Sequence, residues 1–113
     1  GVESLVYNRY GAAARMAYNI NAGLEQVGFV NLGVNERPNL VVLNSTNMPA
    51  VLVEVGFINT DADNELFSSR FDEIARAIAD GILESIGFTF SPRCIHKSVC
   101  YASVAIFTAH LFT

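Results

Sequence analysis

A chain of 113 residues is long enough for one small domain and too short for two, so any function has to come from a single core. Half of the residues are hydrophobic (51%) and few are charged (16%), which favours a packed globular unit over a disordered segment. The net charge of −4 comes from scattered carboxylates with no basic stripe, so nucleic acid is not an expected partner, and the longest apolar run, 99–112, is too short to span a membrane.

In chain order, Val2, Leu5, Val6 and Tyr7 suit a short extended segment. Ala13, Met16, Ala17, Ile20, Leu24 and Val27 then recur at spacings of three and four, which predicts an amphipathic helix closed by Gly28. Residues 31–39 contain Gly33, Asn35 and Pro38 and read as a loop. Two apolar runs follow, 40–43 and 50–55, separated by Asn44, Ser45, Thr46, Asn47 and Pro49, and each reads as a buried strand. Their connection is too short for a parallel crossover, so as neighbours they would be antiparallel unless another strand lies between them.

Thr60, Asp61 and Asp63 offer oxygens for the start of a short helical turn through Leu66 and Phe67. Ser69 and Asp72 resemble a capping box before a helix with the stripe Phe71, Ile74, Ala75, Ile78, Ile82 and Ile86, closed by Gly87. Strands interleaved with helices predict an α/β domain, a partial sheet with flanking amphipathic helices.

Composition changes at that glycine. All eleven carboxylates precede Gly87, whereas both cysteines (Cys94, Cys100) and both histidines (His96, His110) follow it, with Arg93 and Lys97. The expected organisation is therefore one unit over 1–87 and a hydrophobic tail over 88–113. The tail's four metal-capable side chains do not have the spacing of common zinc sites and read as unrelated residues.

Glu54 stands out. It closes a run of Ala, Val and Leu, where an ionised carboxylate loses hydration that a core does not restore. Either it reaches the strand end and pairs with an arginine or with backbone N–H groups, or it faces a site at the edge of the sheet.

The stretch Pro49-Ala50-Val51-Leu52-Val53-Glu54-Val55-Gly56-Phe57-Ile58-Asn59 resembles the closing region of the zinc-dependent N-acetylmuramoyl-L-alanine amidases, which are peptidoglycan hydrolases. Agreement reaches back through Asn31, Gly33 and Val34 to Gly1 and Glu3, and forward to Ala79-Asp80-Gly81-Ile82. Leu32 departs from the arginine often found there. The resemblance implies the C-terminal half of the amidase domain, with Glu54 as the catalytic residue. It also implies zinc in the full domain, peptidoglycan as the partner, and action at the cell envelope or outside a bacterium.

The family's zinc ligands, a histidine, a glutamate and a second histidine, lie before the position where this sequence starts. No metal ligand is therefore assigned in this chain, which alone is expected neither to bind zinc tightly nor to cleave peptidoglycan. Any signal peptide would lie upstream. The alternative is a non-catalytic remnant or interaction module that pairs with another chain. Two helices are too few to cover a sheet twice, so self-association through exposed sheet edges is expected as well.

Overall fold

The computed structural model describes residues 1–88. Its elements are β1 (Val2–Val6), α1 (Ala12–Val27), β2 (Asn31–Glu36), α2 (Val41–Asn44), β3 (Val51–Val55), α3 (Asp61–Ser69) and α4 (Phe71–Ser85). The three strands form one mixed sheet in the order β2-β1-β3. β1 and β2 are parallel and joined through α1, while β3 returns antiparallel on the other side of β1. The α/β expectation therefore holds, with β1 in the middle. The tail residues Cys94, His96, Cys100 and His110 lie outside the described residues.

Alternation along the strands divides the sheet into two faces. Val2, Ser4 and Val6 are fully buried, and with Val53 and Val55 they belong to the face covered by α1. The main cluster joins Val2, Val53 and Val55 to Ile20 and Leu24 of α1, Phe29, and Ile74 and Ile78 of α4. Each fully buried aliphatic side chain contributes about 1.5–3 kcal/mol relative to exposure. Inside this layer the Ser4 hydroxyl donates to Asn21 Oδ1 at 2.6 Å, and the Asn21 amide donates to the Gly33 carbonyl at 2.8 Å. Three elements are thus tied by one buried asparagine, whose polar groups are satisfied where an unpaired amide would cost stability.

Three local expectations fail, beside the side-chain cap expected at the start of α3, which Thr60 does not supply. The run 40–43 is not a buried strand: residues 41–44 form the single turn α2, with Val41 and Val42 71% and 56% exposed and only Leu43 buried. A four-residue apolar run does not distinguish strand from helix, and here the Asn44 amide closes the turn on the Pro38 carbonyl at 3.0 Å. Conversely, the supposed loop 31–39 contains β2. Its register against β1 jumps between the pairs Val2↔Asn31 and Ser4↔Val34, an irregularity that coincides with Gly33 at φ 96°. A glycine that signals a turn in sequence here permits a bulge within a strand.

The third correction concerns Ser69, which does not cap α4. Its hydroxyl donates back to the Glu65 carbonyl at 2.8 Å, and Arg70 occupies the N-cap position without a side-chain cap. The helix α4 itself is as expected, although Phe71 and Ile86, at the two ends of its predicted stripe, are exposed. Among the described residues no helix is long and apolar enough to cross a membrane.

The α1–α4 contact depends on a missing side chain. A Cβ at Gly81 would lie 2.7 Å from the Ile20 backbone nitrogen and 2.8 Å from its Cα, whereas one at Gly23 would meet Ala77 at 3.3 Å. Alanine at Gly81 therefore forces the helices apart even though it raises helix propensity by about 1 kcal/mol. Gly81→Ala is expected to lower stability by about 1–3 kcal/mol in urea denaturation, and Gly23→Ala by less. A Gly81→Ala variant more stable than the parent would contradict this packing.

Candidate active site

On the sheet face opposite α1, the antiparallel register sets Leu5 against Leu52 and Glu3 against Glu54. Directly opposed residues on an antiparallel pair hold their Cβ atoms about 5 Å apart. Two carboxyl groups therefore stand side by side near the end of β3 and the start of β1. The Asn35 amide, from β2, donates to Glu3 Oε1 at 2.8 Å, and Arg9 donates to Asn35 Oδ1 at 3.3 Å. A chain of polar contacts thus runs across the sheet from Arg9 through Asn35 and Glu3 to Glu54.

The ends of β1 and β3 are pinned beside this pair. Buried Asp63, inside α3, accepts from the Phe57 N–H at 2.9 Å through Oδ2, and from the amino group of Gly1. The Gly56 N–H donates to the Gly1 carbonyl at 2.8 Å.

Glu54 is half-buried, and its carboxyl is pushed above the ordinary glutamate value of 4.5. Desolvation is the largest cause, followed by the charge of Glu3 and hydrogen bonding with Glu3, while Arg37 opposes the shift. The sequence offered an arginine or a site as the explanation for this carboxylate. In the structure its main neighbour carries the same charge.

Two features define its placement. β3 is an outer strand of this sheet, and its end lies beside the amino ends of the parallel pair β1 and β2. Glu54 also lines neither of two concavities among the described residues. One, of about 310 Å³, lies at the opposite end of the sheet between Tyr7, Tyr10, Asn44 and Met48; the other runs between α1 and α4. Glu54 sits on the sheet face opposite α1, the face that also carries the buried Leu5.

The family model of the N-acetylmuramoyl-L-alanine amidases matches residues 1–84. The chain belongs to that family. Among solved structures, the amidase AmiC2 of Nostoc punctiforme is 29% identical with a TM-score of 0.66, covering 76% of this chain and 48% of its own. The catalytic domain of the CD27L endolysin, described as targeting Clostridia Difficile, is 28% identical with a TM-score of 0.69, covering 80% of this chain and 48% of its own. An uncharacterized protein of Clostridium perfringens (strain 13 / Type A) is 37% identical over 86 residues, 74% of this chain and 26% of that protein. The chain thus spans about half the length of these two solved chains and about a quarter of the curated relative.

The resemblance to this family implied zinc, and the described residues do not fit it. Residues 1–88 hold no histidine or cysteine, and among the described residues no three of His, Cys, Asp or Glu gather where they could hold a metal ion. The donor set beside Glu54 is one carboxylate and one amide, whose nitrogen is already engaged, and catalytic zinc is generally held by three protein ligands rich in nitrogen or sulfur.

Two members of the constellation escaped the sequence. Glu3 was visible only as part of the motif agreement, and Asn35 was assigned to a loop. Their meeting with Glu54 follows from strand order and register, which no local pattern encodes.

The direction of the Glu54 shift fixes a pH dependence. A carboxyl raised in the folded state binds its proton more tightly there than in the unfolded chain, so its ionisation opposes folding. Its unfavourable contribution is absent below the ordinary value of 4.5 and grows as pH rises through the raised folded value. Glu54→Gln removes that ionisation. Urea denaturation should show the variant gaining stability over the parent between pH 4 and pH 7, and an equal difference at both pH values would contradict the shift.

Proposed function

We propose that the protein contributes the proton-transfer half of an N-acetylmuramoyl-L-alanine amidase centre, with Glu54 as its catalytic residue. The bond cut joins the lactyl group of N-acetylmuramic acid to the L-alanine of the stem peptide in peptidoglycan, which places the action at the bacterial cell envelope or outside the cell. The observation that carries this reading is the position of Glu54. It is a half-buried carboxyl of the family-matched segment with a raised proton affinity, on the sheet face opposite α1.

The chemistry that this residue can perform follows from its proton affinity. As a carboxylate, Glu54 takes a proton from water while the water oxygen forms its bond to the amide carbonyl carbon. When the C–N bond breaks, its electron pair stays on nitrogen, and Glu54 returns the proton to that nitrogen. A group whose proton affinity lies nearer the working pH serves both steps better than an ordinary surface carboxylate. Polarisation of the carbonyl, and the zinc donors that the family resemblance calls for, have to come from groups outside residues 1–88.

A chimera tests this. Residues 1–84, joined to the amino-terminal half of the Nostoc punctiforme amidase, should release stem peptide from muropeptides. Glu54→Gln in that chimera should lower kcat by about 100-fold or more. The 113-residue chain alone should release none. A folded, zinc-loaded chimera without activity, or one that Glu54→Gln leaves as active, would overturn the proposal.

A second reading, a module that pairs with another chain, has the sheet edges in its favour. Among the described residues β2 and β3 each pair on one side only, and such edges recruit strands. Light scattering should then find the 113-residue chain self-associated or bound to a second polypeptide, whereas a stable monomer would count against it.

A further inference from the structure

The catalytic reading of Glu54 leaves Glu3 unexplained. A second carboxylate directly opposite the first on an antiparallel pair is unfavourable when both are ionised. Fold stability alone would be better served there by a neutral or basic residue. Glu3 is nevertheless held in place: Asn35 donates to its Oε1 at 2.8 Å, and Arg9 orients Asn35 from the far side. Among the described residues an N–H group donates to Glu3 and none to Glu54.

We propose that Glu3, fixed by Asn35, is a positioning residue for Glu54, and that the two carboxyl groups act as a pair sharing one proton, with Glu54 the member that carries it. This deepens the amidase reading and rests on it for its catalytic meaning. The geometry supplies the reasons. The register sets the two side chains opposite each other, and the Leu5–Leu52 pair beside them places apolar surface next to the carboxyls. The donor from β2 reaches only the β1 carboxyl. Like charges this close are relieved when one group keeps its proton, and the member without a donor is the one that keeps it.

The other charged group facing Glu54 is Arg37, just beyond β2, which works in the opposite direction. The helix α2, which packs against β3, brings no charged side chain. The pair thereby adjusts the proton affinity of Glu54 without contact between Glu3 and the reacting atoms. The proton gained from water resides on Glu54, hydrogen-bonded to Glu3, until the departing nitrogen takes it.

The test is a titration of the Glu54 side-chain carboxyl by carbon-detected NMR in the full 113-residue chain, which needs neither metal nor activity. Glu3→Gln should move the Glu54 midpoint down towards the ordinary glutamate value. Asn35→Ala should move it in the same direction by less, and covers the case in which Glu3→Gln does not fold. In the active chimera, Glu3→Gln should shift the acidic limb of the pH–rate profile down with KM unchanged. A Glu54 midpoint that stays put in every folded variant would overturn the pairing, whether or not the chimera cuts peptidoglycan. A midpoint that moves in an inactive chimera would sustain the pairing and sink the catalytic reading alone.

Discussion

The antiparallel register of β3 against β1 is the constraint on which the rest of the structure depends. Because side chains alternate strictly along a strand, a slip of one residue would expose Val53 and Val55 and bury Glu54 under α1. The apolar layer with Ile20, Leu24, Ile74 and Ile78 therefore selects the register. The same selection forces Glu3 and Glu54 together on the opposite face. Packing on one side of the sheet thus dictates an unfavourable pairing of like charges on the other. Asp63, which holds the ends of both strands, and the Gly56–Gly1 backbone bond keep that register from fraying at the point where the carboxyls meet.

Much of the scaffold was legible in the sequence because its signals are periodic. The stripe through Ala17, Ile20 and Leu24 and the one through Ile74 and Ile78 each describe a helix and its buried face together. The run 50–55 marked β3 without a period, through a longer stretch rich in β-branched valine. What failed was short or ambiguous. Four apolar residues at 40–43 satisfied either element, and a strand interrupted by a bulge at Gly33 carries the composition of a loop.

Glu54 was legible by contrast, since an acid ending an apolar run calls for an explanation in any fold. Its partners were not, because Glu3 lies 51 positions away along the chain and Asn35 sits on a third strand. Only the order β2-β1-β3 makes these three residues neighbours. The motif agreement had already brought Glu3 into view, but as a matching letter without a physical task.

Membership of the amidase family and the chemistry of residues 1–88 belong together in one respect and separate in another. The segment keeps the carboxyl proposed to move protons and the strand pairing that sets Glu3 beside it, and it offers none of the nitrogen or sulfur donors that zinc generally takes. The central claim is that Glu54 stands at the point of bond cleavage. A crystal structure of the Glu54→Gln chimera with a bound muropeptide tests it most directly. The account predicts the scissile amide within hydrogen-bond reach of the residue 54 side chain, directly or through one water. A muropeptide seated instead in the groove between Tyr7 and Asn44, at the far end of the sheet, would contradict it.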